Sequence, residues 1–441
     1  MYTIKPLSKA KKEISVPPDK SITHRAIILS SLCEGETCIK PFLESEDARV
    51  TMDCMKKLGI ITNSTNDSLV VAGAGMYLKP KETPVVLLAG ESGTTMRILS
   101  GLLSCQKFPI TFESAPSLSK RPMGRVVLPL QQMGARISGT AGKAKLTHED
   151  VIYPPLHIKP AVEIIGGRFR LNVSSAQVKS SLMLAALYAK TQTVIIEPYK
   201  SRDHTERMFK LFRAKIKTKG TTVVCKLTKK LISPKKLFVP GDFSSAAFFI
   251  VLGLILKNSK IVIKNVNINP TRCGLLQVLK RMGGKIKIKN KTNAYEPYAD
   301  IVVESSILKA VKVEPEEIPS MIDEIPILCV ASAFAEGKTE IRGVKELRIK
   351  ETDRVWSMVH NLSEAGIDIY NARFDDDDEE IVIKGSKNPK PASFISSFDH
   401  RIAMSMIIFG MALNKESEID DIACINKSFP QFIPLVKSLR R

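Results

Sequence analysis

Charged side chains are concentrated in a few short segments of the sequence, and the densest of them ends at Arg354. The segment ELRIKETDR places Arg348, Lys350 and Arg354 among carboxylates, after a predicted strand and before a predicted helix. Shorter segments of the same kind, RPMGR, SRDH, DE and DHR, begin at residues 121, 201, 323 and 399. Arginine held in a fixed position binds phosphate and carboxylate bidentately. Together these segments predict a site for an anionic substrate, although a solvated surface helix would explain any one of them alone.

The elements that must position these segments follow a repeated pattern. An ion-rich start, a run of about a dozen apolar residues, a short charged break and an alternating strand recur six times. The starts are Asp19, Gly90, Ser175, Gly241, Asp323 and Asp399. The apolar runs are too uniform for surface helices, so the pattern predicts buried helices, each followed by a strand. Breaks are predicted at Glu34-Gly35-Glu36, Lys257-Asn258 and Glu336-Gly337-Lys338.

Six such units, with further helix–strand pairs between them, predict an α/β fold of internal helices flanked by outer sheets. A division of three and three predicts two domains, and the boundary is expected near Val239-Pro240, after the basic, loop-like segment KLTKKLISPKKL. The N-terminal strand is expected to return to the second domain. The predicted domains are residues 19–239 and residues 1–18 together with 240–441.

The helix starts also predict where anions bind. The first turn of a helix presents unpaired N–H groups and a partial positive charge, which together stabilise an anion by about 0.3–1 kcal/mol. Several starts add a cation in or just before that turn. These cations are Lys20, Arg25, Arg97, Lys179 and Arg401. We therefore expect several helix ends to contribute to one anion-binding site.

Composition excludes several classes of protein. The chain has 441 residues, 44% of them apolar and 25% charged, which is typical of a globular protein of two domains. The apolar runs are shorter than the roughly 20 residues of a membrane span, and the N-terminus lacks the apolar core of a signal peptide. The eight cysteines form no C-x-x-C pair and the six histidines are scattered, which argues against disulfides and zinc. We expect a soluble, cytoplasmic protein.

Ten motifs together resemble the 5-enolpyruvylshikimate-3-phosphate synthase family, from about Lys20 to Pro430. In chain order they are DKSITHR, GESGTTMR, KRPMGR, SSAQVKSSL, SRDHTE, PGDFSSA, DEIPILCVASAFAEG, ELRIKETDR, DHRIAM and NKSFP. SAQVK together with NPTR (Asn269–Arg272) resembles the branch called class II. The resemblance implies a two-domain enolpyruvyl-transferase fold, an inside-out α/β barrel of six βαβαββ-type units, three per domain. It also implies an active site in the interdomain cleft and no metal or organic cofactor.

The resemblance implies that phosphoenolpyruvate and 3-phosphoshikimate react to give the enolpyruvyl ether and phosphate. Asp323 would accept the proton of the 5-hydroxyl, Glu351 would protonate the methylene carbon, and Lys20 would contact both substrates. The residues implied for 3-phosphoshikimate are Lys20, Ser21, Arg25, Ser175, Gln177, Ser201, Asp323 and Lys350. Those implied for phosphoenolpyruvate are Lys20, Gly93, Arg121, Gln177, Arg354, Arg401 and Lys427. Two carboxylates in different surroundings are able to divide the acid and base roles.

The sequence departs from the family pattern at two positions. Glu91 replaces the usual asparagine of the G-N-x-G-T loop, where an unpaired acid would repel phosphoenolpyruvate, and Pro18 replaces the glycine before Asp-Lys. Gly93 is retained where relatives insensitive to glyphosate carry alanine, so we expect inhibition by glyphosate.

Two alternatives remain open at this point. The sister enzyme that transfers enolpyruvate to UDP-N-acetylglucosamine shares the fold, but it typically has a cysteine in the loop corresponding to Leu118–Arg125 and Lys-Asn where this chain has Lys20-Ser21. A nucleic-acid-binding protein is suggested by the net charge of +21, and it would bind oligonucleotides with a steep salt dependence. The ion-rich helix ends favour an enzyme that uses small-molecule substrates, and we expect it to bind neither nucleic acid nor membrane. The family resemblance implies a monomer.

Overall fold

The computed structural model describes residues 1–65, 67–143, 150–373 and 378–440. The chain divides into two units, a central unit of Pro18–Val239 and a terminal unit that combines Met1–Pro17 with Pro240–Arg441. Pro18 therefore lies in the central unit, whereas the predicted boundary placed it with the terminal residues.

Short strands alternate with helices along both units. The strands are β1 (Tyr2–Ile4), β2 (Lys11–Ser15), β3 (Cys33–Ile39), β4 (Ile61–Ser64), β5 (Leu69–Ala74), β6 (Val85–Leu88), β7 (Ile110–Glu113), β8 (Arg136–Lys143), β9 (Asp150–Lys159), β10 (Arg168–Arg170), β11 (Thr193–Ile196), β12 (Ile216–Lys219), β13 (Thr222–Cys225), β14 (Leu231–Ile232), β15 (Lys236–Leu237), β16 (Lys260–Asn267), β17 (Lys285–Thr292), β18 (Tyr298–Glu304), β19 (Lys312–Val313), β20 (Lys338–Arg342), β21 (Asp368–Arg373), β22 (Glu379–Lys384), β23 (Ser393–Phe394) and β24 (Ser417–Ile419). The α-helices are α1 (Lys20–Leu32), α2 (Glu46–Lys57), α3 (Gly93–Leu103), α4 (Pro116–Ser119), α5 (Gly124–Gln132), α6 (Ala176–Ala186), α7 (His204–Leu211), α8 (Phe243–Ile255), α9 (Gly274–Arg281), α10 (Ile325–Ala333), α11 (Arg354–Glu364), α12 (His400–Met411) and α13 (Phe432–Ser438). Short 3-10 helices cover Pro315–Ser320, Ile322–Glu324, Lys345–Ile349 and Ala423–Lys427.

One βαβαββ arrangement recurs along the chain. In the sheet β6-β7-β9-β8, the parallel strands β6 and β7 are joined through α3, and α5 then leads to the antiparallel pair β8 and β9. The same order occurs in β10-β11-β13-β12, with α6 and α7, and in β19-β20-β22-β21, with α10 and α11. Parallel neighbours need a crossover connection, which the buried helix provides. The predicted βαβαββ-type unit is confirmed.

The other sheets use the same pairing but take a strand from elsewhere in the chain. β2 pairs in parallel with β16, and β14 and β15 pair in parallel with β3. In the remaining sheet, β1-β24-β23, the strands β23 and β24 are parallel and flank α12 in the chain. Within the described residues this gives six sheets, three in each unit.

The helices at the ion-rich starts are buried on all sides, as their uniform apolar composition predicts. Every residue of α10 and α12 is buried, as is every residue of α8 except Ile255. In the central unit, α3 and α6 approach closely at Gly101, where a Cβ atom would overlap the backbone carbonyl group of Ser181. Glycine is therefore required at that contact. None of the helices in the described part of the chain is long and apolar enough to cross a bilayer.

Two local predictions are wrong. Glu34-Gly35-Glu36 is not a break, because the chain passes from α1 at Leu32 directly into β3. The segment KLTKKLISPKKL is not only a loop, since it contains β14 and β15, which add to the edge of the sheet at β3. Its apolar residues Leu231 and Leu237 are buried, but strands of two residues are too short to show an alternating pattern.

Candidate active site

The ion-rich starts lie at the N-termini of buried helices, and most of them supply the N-cap. Asp19, Ser92, Ser175, Asp242 and Asp399 each accept a hydrogen bond from a backbone N–H group of the first turn, at distances from 2.7 to 3.4 Å. Caps of this type satisfy N–H groups that have no partner within the helix. The prediction that polar clusters begin the buried helices is confirmed.

Lys20 begins α1 and points toward α2. Its Nζ lies 2.9 Å from Oδ2 of Asp47, and the two side chains are 15% and 16% exposed. One helical turn further along both helices, Nδ1 of His24 lies 2.7 Å from Oγ1 of Thr51. Two contacts therefore hold the first turns of α1 and α2 together, and they fix the direction of the Lys20 ammonium group.

Arg25 is buried behind Lys20 and joins three helices. Its Nε donates to Oγ1 of Thr205 at 2.7 Å, its Nη2 to Oγ of Ser180 at 2.7 Å and its Nη1 to the carbonyl oxygen of Ser21 at 2.9 Å. Thr205 and Ser180 also contact each other at 2.6 Å. The guanidinium group is thus fixed from α1, α6 and α7, beside the half-buried Ser21.

Gly93, Gln177 and Arg121 meet around the guanidinium group of Arg97. Oε1 of Gln177 accepts from Nη1 of Arg97 at 2.9 Å, and its Nε2 donates to Oγ1 of Thr94 at 3.0 Å. A Cβ atom on Gly93 would lie 3.1 Å from Nη1 of Arg121 and 3.3 Å from Nη1 of Arg97. The absence of a side chain at Gly93 therefore lets two arginines approach the N-terminus of α3. This is a suitable environment for an anion.

Ser201 is held in place by a buried group of charged side chains, Lys179, Glu197 and Glu206. Its hydroxyl donates to Oε1 of Glu197, whose Oε2 accepts from Nζ of Lys179 at 2.8 Å. Lys179 also lies 2.7 Å from Oε1 of Glu206. Burial acts to lower the pKa of Lys179, but the two carboxylates outweigh it and raise that pKa. The expectation that Lys179 serves an anionic ligand is wrong, because the protein's own carboxylates occupy its ammonium group.

In the terminal unit, Arg354 contacts both residues that the resemblance implies in proton transfer. Its Nη1 lies 3.4 Å from Oδ1 of Asp323, and its Nη2 lies 2.6 Å from Oε2 of Glu351. Its Nε donates to Oδ2 of the buried Asp399 at 2.8 Å. Arg401 donates through Nη1 to the backbone carbonyl of Asp323 at 3.0 Å. Burial opposes the charge of Arg354, but Asp399, Glu351 and Asp323 together raise its pKa.

A second buried arginine supports the 3-10 helix that carries Asp323. Nη1 of Arg272 donates to Oε1 of Glu324 at 2.9 Å, and its Nη2 donates to Oδ1 of Asp242 at 3.0 Å. The same oxygen of Glu324 lies 3.7 Å from Nη1 of Arg401. Glu324 therefore joins Arg272 to Arg401 and holds the segment on which Asp323 sits.

Lys350 follows the 3-10 helix Lys345–Ile349. Burial lowers the pKa of Lys350 to about 8, Asp323 and the nearby glutamates act against this shift, and Arg354 adds to it. Lys427 ends the 3-10 helix Ala423–Lys427 and is half-buried.

Sequence reasoning identified the cations but missed several of the residues that orient them. The missed residues are Asp47, Ser180, Glu197 and Thr205. Ser180 and Thr205 belong to the motifs SSAQVKSSL and SRDHTE, so their motif membership was a signal. Asp47 and Glu197 gave no such signal in the sequence, since their partners lie on other helices and loops.

The chemistry that these groups support is proton transfer beside bound anions. The terminal unit holds two partly exposed carboxylates on one arginine, and the central unit holds cations at helix N-termini. Among the residues that the structure describes, no three histidine, cysteine or acidic side chains are grouped so that they would bind a metal ion.

Comparison with known proteins gives consistent results. The sequence profile described as EPSP synthase (3-phosphoshikimate 1-carboxyvinyltransferase) matches residues 4–435. The chain is 45% identical over 441 residues to the 3-phosphoshikimate 1-carboxyvinyltransferase of Petrotoga mobilis, covering 99% of both chains. It is 43% identical over 423 residues to the protein of that name from Thermoanaerobacter sp. strain X514, covering 96% of both chains.

Solved structures show the same fold. The structure of EPSP synthase from Acinetobacter baumannii superposes with a TM-score of 0.85 at 37% identity, covering 99% of this chain and 97% of that one. The enolpyruvyl transferase NikO from Streptomyces tendae superposes with a TM-score of 0.75 at 14% identity, covering 99% of this chain and 96% of that one, which supports the fold alone. The two-domain enolpyruvyl-transferase fold is confirmed, and the chain belongs to the EPSP synthase family.

Proposed function

We propose that this protein transfers the enolpyruvyl group of phosphoenolpyruvate to the 5-hydroxyl of 3-phosphoshikimate, releasing phosphate. The observation that carries the proposal is the contact of Arg354 with both Asp323 and Glu351, in a chain that belongs to the EPSP synthase family. One guanidinium group thus orients two carboxylates that have opposite tasks in the reaction. The product is an intermediate of aromatic amino acid biosynthesis, through chorismate.

The reaction requires an acid and a base. Glu351 gives a proton to the methylene carbon of phosphoenolpyruvate, which makes its C2 carbon electrophilic. The 5-hydroxyl oxygen then attacks C2 while its proton passes to Asp323. Loss of phosphate from C2 and return of a proton from the new methyl group to the Glu351 carboxylate restore the double bond, and Asp323 passes the hydroxyl proton to the departing phosphate. General acid–base catalysis of this kind contributes about 10²- to 10⁴-fold to the rate.

The binding roles follow the charges of the two substrates. We propose that the residues that bind 3-phosphoshikimate are Lys20, Ser21, Arg25, Ser175, Gln177, Ser201, Asp323 and Lys350. The residues proposed for phosphoenolpyruvate are Lys20, Gly93, Arg121, Gln177, Arg354, Arg401 and Lys427. Since the two sets draw on both units, the proposal requires the units to close on one pair of substrates and to exclude water from them.

The remaining properties are also proposals. The eight cysteines are free, which fits a reducing cytoplasm. We propose that the protein works there as a monomer on small-molecule substrates, without a metal or organic cofactor, and that it does not bind nucleic acid.

Phosphate release tests the function directly. The enzyme is mixed with phosphoenolpyruvate and either 3-phosphoshikimate or UDP-N-acetylglucosamine, and phosphate is measured. Release with 3-phosphoshikimate alone supports the proposal, whereas release with the sugar nucleotide alone would replace the acceptor. If a folded sample releases phosphate with neither acceptor, the proposed activity is wrong. Glu91, in the loop before α3, is then the first residue to replace, by the asparagine that is usual in the family.

Glyphosate is expected to inhibit the enzyme, and Gly93→Ala is expected to weaken that inhibition. The new methyl group would lie 3.1 Å from Nη1 of Arg121, so the guanidinium group must move away from the N-terminus of α3. Steady-state assays should show a larger factor of increase in the inhibition constant than in KM for phosphoenolpyruvate. Gly124→Ala is the matched control, since its Cβ atom would meet nothing closer than 3.9 Å. Undiminished turnover of the unaltered enzyme in millimolar glyphosate would contradict the prediction.

The affinity for 3-phosphoshikimate is expected to fall above pH 8. Because the pKa of Lys350 is lowered to about 8, this side chain loses its proton well below the pH at which an ordinary lysine does. Because the unfolded chain binds this proton more strongly than the folded one, the buried charge disfavours folding below pH 8, and this penalty is lost as pH rises from 8 to about 10. KM for 3-phosphoshikimate should rise between pH 7.5 and 9.5 as the cation is lost. In Lys350→Arg the rise should disappear, because arginine stays charged; an unchanged profile in that variant would exclude Lys350 as its origin.

A further inference from the structure

A chain of buried hydrogen bonds crosses the first three long helices of the central unit. Nδ1 of His24 on α1 lies 2.7 Å from Oγ1 of Thr51 on α2, which lies 2.6 Å from Oγ1 of Thr95 on α3. Thr95 in turn lies 2.8 Å from Oγ of Ser92. All four side chains are at most 1% exposed, so none of these bonds competes with water.

The direction of these hydrogen bonds follows from the last of them, at Ser92. The hydroxyl of Thr95 donates to Oγ of Ser92, which also accepts from the backbone N–H of Thr95 at 3.2 Å. Since Thr95 has given its one proton, Thr51 must donate to Thr95, and Nδ1–H of His24 must donate to Thr51. Burial lowers the pKa of His24 to about 3, so the imidazole is neutral, and its donation to Thr51 places its one proton on Nδ1. Every donor therefore points toward Ser92.

The series of hydrogen bonds reaches the proposed active site at Ser92. It is the N-cap of α3, directly before Gly93 and the two arginines that approach it. At the other end, α1 carries Lys20, whose partner Asp47 lies one turn before Thr51 on α2. The hydroxyl groups of Thr51 and Thr95 thus connect the helix of Lys20 to the turn of Gly93 through the protein interior.

We propose that Thr51 and Thr95 are positioning residues for phosphoenolpyruvate, which hold the first turn of α3 in register with Lys20. The inference rests on the proposed function, since it assigns a purpose to the same site. Neither threonine touches the substrate. They act through Ser92, whose cap fixes the backbone on which Gly93 sits.

Thr51→Val tests the proposal because valine keeps the shape of threonine and removes its hydroxyl. We expect KM for phosphoenolpyruvate to rise about tenfold with kcat nearly unchanged, which is the pattern of lost substrate binding. KM for 3-phosphoshikimate should stay within about twofold, since Arg25 is held by separate contacts with Ser180 and Thr205. Thr51→Ser, which retains a hydroxyl, should restore KM for phosphoenolpyruvate.

A second variant tests whether the two hydroxyls act as one chain. Thr95→Val should give the same rise in KM, and the double variant Thr51→Val/Thr95→Val should be no worse than either single variant, because both break the same connection. If the rises in KM were additive in the double variant, the two hydroxyl groups would not act through one connected series of hydrogen bonds. Thr95→Val also keeps the test decisive if Thr51→Val fails to fold.

Thr37→Val is the matched control. Thr37 is equally buried and its hydroxyl lies 2.8 Å from Oγ of Ser233, but it has no connection to Ser92. Thr37→Val and Thr51→Val should both lower Tm, by about 2–6 °C, while only Thr51→Val raises KM for phosphoenolpyruvate. Equal KM values in the two variants, or a failure of Thr51→Ser to restore KM, would overturn the proposal.

Hydrogen exchange separates failure of this inference from failure of the proposed function. The backbone N–H of Thr95 should exchange faster in Thr51→Val than in the unaltered protein and in Thr37→Val, whatever the substrate. If the protein releases no phosphate with 3-phosphoshikimate, the function is wrong, and exchange still decides whether the hydroxyl chain holds the turn. Unchanged exchange at Thr95 in Thr51→Val would overturn the positioning role.

Discussion

Glu351→Gln is expected to lower kcat by about 10²- to 10⁴-fold while KM for both substrates changes little. Glutamine has nearly the same shape and its carbonyl oxygen still accepts from Nη2 of Arg354, which lies 2.6 Å from the present carboxylate. It has no proton to give to the methylene carbon. The substitution therefore removes the acid and keeps the contact. Phosphate release at saturating concentrations of both substrates measures the loss.

The control for this variant is Glu364→Gln. Glu364 is exposed at the far end of α11, the helix that begins at Arg354, and it lies outside the proposed site. Its turnover should equal that of the unaltered enzyme. If Glu351→Gln also retained near-normal kcat with an unchanged circular dichroism spectrum, the proton donor would have to be another group.

Arg354→Met is expected to lower the free energy of unfolding by about 3–5 kcal/mol, because it leaves a buried carboxylate without its cation. Asp399, which accepts from Nε of Arg354 at 2.8 Å, is fully buried. The variant should also lose activity, since Asp323 and Glu351 would both lose the guanidinium group that orients them. Urea denaturation followed by fluorescence and circular dichroism measures the change in stability.

Two comparisons test the cause of that loss. Arg281→Met removes an exposed pair with Glu317 and should cost at most about 1 kcal/mol. Asp399→Asn in the Arg354→Met background removes the orphaned charge and keeps a residue type that caps helices well, so part of the stability should return. A cost for Arg354→Met no larger than that for Arg281→Met would show that the buried pair does not determine stability.

Much of the fold was predictable because it depends on local patterns. The apolar runs after Asp19, Asp242 and Asp399 are long, uniform and preceded by good N-cap residues, so burial, helix type and helix start follow from composition alone. The strands β14 and β15 did not follow, because two-residue strands gain their structure from pairing with β3 and have no periodic signal of their own.

The candidate site was also predictable from the sequence only in part. Family motifs predict Arg25, Arg354 and Arg401 as site residues, since conspicuous charges in fixed order are visible in a sequence. The neutral partners of Arg25 and the carboxylate partner of Lys20 were not visible, because each lies on another helix. Lys179 illustrates the limit: its position beside a helix start suggested a substrate cation, but its environment is set by Glu197 and Glu206, which only the packing brings near.

The hydrogen bond between the backbone N–H of Asp242 and the carbonyl oxygen of Pro17, at 2.8 Å, closes the terminal unit across the point where the chain leaves and re-enters it. Along the sequence, the central unit lies between Pro17 and Pro240 of the terminal unit, and these two attachment points are close together. During synthesis, a nascent chain that ends at Val239 already contains every strand and helix of the central unit, including β14 and β15. At that stage the N-terminal strands β1 and β2 have no partners, since β16 and β24 have not been made. The two halves of this enzyme therefore become able to fold one after the other, the central unit first.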